Sequence, residues 1–139
     1  MALALHCPFY DADDFHLPES RQKMSRGEAL TDEDRQPWLE ELNRQMKMWE
    51  NQSPRTILAC SALKQNYRDF LSKGSDIHWV YLRGDKRTIH QRLEQRQGHY
   101  ATAQLVESQF AILEEPQNAI VLDILTAPER LVEALIPHF

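Results

Sequence analysis

Four side chains capable of chemistry stand together near the start of the chain, where FYDADDFH brings Asp11, Asp13, Asp14 and His16 into one short stretch. Two carboxylates spaced i, i+2 can divide labour: one orients a hydrated Mg²⁺, the other takes the proton of a substrate hydroxyl. The same spacing also suits turns and helix caps, where Asp accepts backbone N–H groups. His16 alone reads as a surface or capping residue. Zinc is not expected, because His6, Cys7 and His16 match no compact ligand spacing. A second set is cationic. Lys64 and Arg68 lie one helical turn apart in CSALKQNYRD, with Tyr67 between them, and Arg92 and Arg96 repeat the spacing in RLEQRQGH. Such pairs can hold a carboxylate or phosphate, Arg through a bidentate fork, or can form a solvated basic face. Gly98-His99 reads as a helix stop, and an arginine-bearing lid there would stabilise charge on a transferring phosphoryl group.

These residues need elements to carry them. Met1 to His6 reads as the last turns of a helix, with Leu3 and Leu5 partly buried, stopped by Pro8. Phe9-Tyr10 reads as a short strand and residues 20–30 as a polar loop with a short helical piece. Thr31 and Asp34 form a capping-box pattern, and Trp38, Leu42, Met46 and Trp49 repeat at helical spacing, which predicts a helix over Pro37–Glu50. TILAC suits a buried strand. Leu63, Tyr67, Phe70 and Leu71 make a helical face closed by Gly74. IHWVYL and AIVLDI are further strands. Ile89 with Leu93, Leu105 with Phe110, and Pro128 through Leu135 mark three more helices. Strands alternating with helices predict βαβ units and a parallel sheet, whose ligands bind beyond the carboxyl ends of the strands. DADDFH, CSALKQNYRD and the Arg92/Arg96 helix each follow such an end.

The bulk numbers set the frame. A chain of 139 residues is one domain's worth. A net charge of −5 argues against a nucleic-acid surface. Two cysteines give no disulfide framework, and no apolar run reaches the ~18 residues of a membrane span. A cytoplasmic protein is the expectation.

Taken in order, FYDADDFH, KMSRGEALTDEDRQPWL, ACSALKQNYRDFL, RLEQRQGH and SQFAILEEP resemble the gluconokinase family of the thermoresistant type, from about Phe9 to Pro116. The resemblance implies a three-layer α/β fold like that of adenylate and shikimate kinases, with a parallel sheet between helices. It implies phosphoryl transfer from ATP to D-gluconate, with Mg²⁺, and a tendency to form homodimers. By the same resemblance, Asp13 would face the gluconate hydroxyl as base and Asp11 would sit near Mg²⁺ through water. His16, Lys23, Arg35, Lys64 and Arg68 would line the sugar-acid pocket. Arg92 and Arg96, with His99, would belong to a lid over the nucleotide phosphates. Tyr67 and Trp38 read as packing residues.

The family carries a strand and a glycine-rich phosphate loop ahead of the DAD element, yet the glycines here are Gly27, Gly74, Gly84 and Gly98, each isolated, and no GxxxxGK[ST] occurs. The resemblance therefore places that strand and loop upstream of Met1, roughly 20 residues by average element length. Without them, neighbouring strands are expected to be left with unpaired backbone edges. A non-catalytic gluconate-binding remnant is the competing expectation.

Overall fold

The computed structural model describes residues 1–95 and 103–139. In chain order its elements are α1 (Ala2–Leu5), β1 (Phe9–Asp11), a 3₁₀ turn (Ala12–Phe15), α2 (Pro18–Ser25), α3 (Asp32–Gln52), β2 (Ile57–Ala59), α4 (Gln65–Leu71), β3 (Val80–Arg83), α5 (Lys86–Gln95), α6 (Ala103–Ile112), β4 (Ile120–Asp123), α7 (Pro128–Leu135) and a closing 3₁₀ turn (Ile136–His138).

The alternation of strand and helix is as expected, and both strand pairings are parallel. β1 pairs with β2, Tyr10 opposite Leu58, and β3 pairs with β4, Leu82 opposite Leu122. The strands do not form one continuous sheet. Among the described residues there are two separate two-stranded sheets. Each strand thus keeps one unpaired edge, and TILAC, expected to be buried, is only half-buried. Leu3 departs from expectation in the same way: it is 92 % exposed, because a four-residue helix turns only one side to the protein.

α3 is the organiser. It begins five residues before Pro37, because the capping box at Thr31 and Asp34 closes with both of its hydrogen bonds, at 3.1 and 2.9 Å. Pro37 is then carried inside the helix, where it lacks the N–H that would reach the Glu33 carbonyl. The capping box and the long apolar face outweigh that one missing bond. Trp38, Leu39 and Leu42 from this face join Ala12, Ala62, Tyr67 and Leu71 in the buried core. α2 replaces much of the expected polar loop. Pro18 opens it at a first-turn position and the chain leaves it through Gly27 at φ +75°.

The two sheets are tied together by polar contacts around Glu114, two residues past the end of α6. Its N–H donates to the Leu63 carbonyl at 2.9 Å, its carboxylate accepts from the Gln65 N–H at 2.8 Å, and its carbonyl accepts from Arg68 at 2.7 Å. No helix among the described residues is long and apolar enough to cross a membrane.

Candidate active site

β1 ends at Asp11, and the chain turns at once into the 3₁₀ segment that carries Asp13. Asp11 itself drives this turn. Its Oδ1 accepts from the Asp13 N–H at 3.0 Å, the capping role that short acidic side chains favour. The sequence left capping and chemistry as alternatives for this pair. In the structure one oxygen of Asp11 caps, and the Asp13 side chain is 72 % exposed.

The turn is held from several directions. The Trp38 indole N–H donates to the Ala12 carbonyl at 2.7 Å. Arg21, one turn into α2, donates through Nη2 to the Asp14 carbonyl and through Nε to the His16 carbonyl at 3.2 Å. His16 is buried, stacks on Trp38 with ring centroids 4.6 Å apart, and places Nε2 at 3.6 Å from Asp13 Oδ1. Its Nδ1 is buried with no hydrogen-bond partner. Sequence reasoning missed Arg21 altogether. No spacing rule links it to the turn it braces.

The cations gather on the other flank, at the N-termini of α3 and α4. Lys64 donates to both oxygens of Asp32, at 2.8 and 2.9 Å, and the Tyr67 hydroxyl donates to the same carboxylate. The Lys64 hydrogen bond, followed by that of Tyr67, holds Asp32 below the usual carboxylate range, and the partnership raises Lys64 in return. Burial, with the Asp32 contact, raises the Tyr67 phenol. Arg35 is buried beside them. Its Nη1 donates to the Leu30 carbonyl at 2.6 Å and lies 3.5 Å from the Tyr67 oxygen, while Nη2 and Nε enter no described hydrogen bond. Lys23 reaches across from α2 to Asp34 at 2.8 Å.

So Asp11, Asp13 and His16 stand on one turn, and Lys23, Arg35 and Lys64 cluster around the start of α3. Arg35 and Trp38 share that helix three residues apart, which links the two groups. Arg68 is directed elsewhere. It is buried and donates to the carbonyls of Ala62 at 2.8 Å, Leu63 at 3.2 Å and Glu114 at 2.7 Å. Arg92 donates to the Ile124 carbonyl at 2.7 Å, beyond the end of β4. Arg96 and His99 lie outside the described residues. Cys60 is no nucleophile, since burial pushes its thiol up to about 12. A cavity of about 350 Å³ between α3 and α4 shares Asp32 and Tyr67 with the cation cluster but contains none of the Asp11–His16 turn.

An acidic pair at a strand's carboxyl end, flanked by cations on the next helices, has the chemistry that phosphoryl transfer onto an anionic small molecule requires. A sequence model described as shikimate kinase matches residues 1–127, which sets the chain among the small-molecule kinases of that family. Among curated proteins it is 43% identical over 118 residues to the thermosensitive gluconokinase of Escherichia coli K12, covering 84% of this chain and 63% of that protein. To the thermoresistant gluconokinase of the same organism it is 37% identical over 141 residues, covering 98% of this chain and 81% of the relative. The solved gluconokinase of Sinorhizobium meliloti 1021 superposes with a TM-score of 0.84 at 31% identity, covering 98% of this chain and 78% of that one. The chain belongs to the gluconokinases of the shikimate kinase family.

Proposed function

We propose that this protein acts as a gluconokinase, passing the γ-phosphoryl group of ATP to D-gluconate to give 6-phosphogluconate, and that the described residues build its acceptor side. The observation that carries the reading is the braced Asp11–Asp13 turn at the end of β1, with the Arg35 and Lys64 cluster beside it. Family membership supports the substrate pair. The two parallel strand pairs read as parts of one three-layered sheet, supported by the likeness to a solved gluconokinase.

In this reading Asp13 accepts the proton of the reacting gluconate hydroxyl. It is exposed enough to reach a ligand and held firmly enough to meet it in one orientation. Arg35 offers its unused Nη2 and Nε as a fork for the gluconate carboxylate. His16 presents its unpartnered Nδ1 to a substrate hydroxyl. Lys64 and Lys23 hold Asp32 and Asp34 in place and contribute positive potential. Arg68 supports the pocket through the α4 loop.

Asp11 fits a hydrated Mg²⁺. One of its oxygens is committed to the turn and the other can take a water of the ion. When bound, ATP supplies the phosphoryl group. The 139 residues contain no GxxxxGK[ST], so no described residue is assigned to cradle its phosphates. Arg92 would reach them only by leaving the Ile124 carbonyl, and Arg96 and His99, expected beside it, lie outside the described residues. A homodimer in the cytoplasm is part of the same reading.

The test is ADP release dependent on both ATP and gluconate, compared between wild type and Asp13→Asn. Loss of a general base predicts a fall of ~10²–10⁴-fold in kcat with gluconate still bound. Turnover that survives the substitution unchanged would falsify the role of Asp13. A second reading is a gluconate-binding protein without catalysis. That reading predicts a thermal shift with gluconate, none with Mg-ATP, and no ADP.

A further inference from the structure

We propose that Trp38 is a positioning residue for Asp13, acting through Ala12 on one side and His16 on the other; the proposal rests on the reading of Asp13 as proton acceptor. The indole N–H donates to the carbonyl of the residue immediately before Asp13, at 2.7 Å. Both partners are sealed from solvent, Ala12 at 0% and Trp38 at 1% exposure. In such surroundings a hydrogen bond is electrostatically stronger than in water, and its direction is kept. The face of the same indole lies nearly parallel to the His16 ring, at 11°. His16 in turn approaches Asp13 Oδ1 with Nε2 at 3.6 Å. One side chain from α3 therefore fixes the turn at its first residue and, through the imidazole, reaches the carboxylate itself.

Packing alone does not require this. A phenyl ring would fill most of the same space and still stack on His16, but the Ala12 carbonyl would lose its donor. The Asp13 side chain is 72% exposed, and its backbone is set by the turn beneath it. A small displacement of a reacting group is costly in rate while hardly altering how tightly the substrate is held. The expected signature is thus a loss in kcat without a loss in KM.

Steady-state turnover with ATP and gluconate is compared for wild type, Trp38→Phe and Leu71→Ala. Leu71, 1% exposed on α4 in the same buried core, is a truncation that loosens the fold without removing any hydrogen bond of the Asp13 turn. Trp38→Phe is expected to lower kcat about 10- to 100-fold with KM for gluconate changed less than about twofold, while Leu71→Ala keeps its kcat at temperatures where it is folded. An unchanged kcat in Trp38→Phe, or an equal fall in Leu71→Ala, overturns the proposal. Should Trp38→Phe not fold, benzothienylalanine placed at position 38 keeps the indole's shape, replaces N–H by sulfur, and carries the same comparison. A second readout needs no turnover: the Asp13 amide and His16 Nε2 signals in ¹⁵N NMR. They are expected to move in Trp38→Phe and to stay in Leu71→Ala. If the wild type shows no turnover, the proposed function fails, while the NMR comparison still decides. Shifted signals then uphold Trp38 as the residue that sets Asp13's geometry, and unmoved signals refute it.

Discussion

Arg68 stands one helical turn past Lys64, and spacing alone does not say whether such a charge meets a ligand or the chain's own carbonyls. The structure gives it the carbonyls of Ala62, Leu63 and Glu114 and the side chain of Gln65, and buries it to 4% exposure. Ala62 adopts φ +31° to present its carbonyl there, a left-handed turn that a non-glycine residue takes only at some cost. Removing the guanidinium would take the donor from the Ala62 and Glu114 carbonyls, while the Leu63 carbonyl would keep the Glu114 N–H. Arg68→Met is therefore expected to lower stability by about 2–4 kcal/mol in urea unfolding, with gluconate affinity little changed. A variant of wild-type stability that no longer binds gluconate would return Arg68 to the pocket. Asp13 and Lys64 could be placed just after strand ends from the sequence, whereas Arg35 was singled out only through the family resemblance. The occupancy of Arg68 was not legible, because its partners are backbone atoms that any sequence would supply.

Helix α3 shows how an element positions a site. Its capping box was legible from Thr31 and Asp34, but its start was read too late because Pro37 looked like a beginning. The true start brings Asp32, Asp34 and Arg35 onto the helix's first turn, beside the turn that bears Asp13. Asp34 is held down to about 2 from an ordinary 3.8, first by its hydrogen bond from Lys23 and then by the Thr31 N–H. A carboxyl depressed in the folded state contributes stability above its unfolded value, and that contribution is lost as pH falls through the folded value. The melting temperature is accordingly expected to drop as pH is lowered from about 4 to about 2. Asp34→Asn should flatten part of that slope, Asp32 with Lys64 supplying some of the rest. An unchanged slope in Asp34→Asn would mean that the Lys23 contact does not form in solution.

At the scale of the whole molecule, the parallel βαβ character was legible and unpaired strand edges were expected through the family resemblance, but the division into two sheets among the described residues was not foreseen. Hydrophobic runs report that a strand exists, not whether both of its edges are paired. Phe9, Leu82 and Val121, on strands of both pairs, are exposed at 56%, 55% and 42%, while the core gathers around α3 and α4. The proposed acceptor site stands on that better-packed side. It is on this side that the central claim can be tested without reference to the nucleotide. The measurement is a calorimetric titration of the protein with D-gluconate, set against shikimate, the substrate that the name of the matching family model would suggest. The account predicts saturable binding of gluconate, weakened by Arg35→Met, and no heat from shikimate. Absence of gluconate binding, or a preference for shikimate, would contradict it.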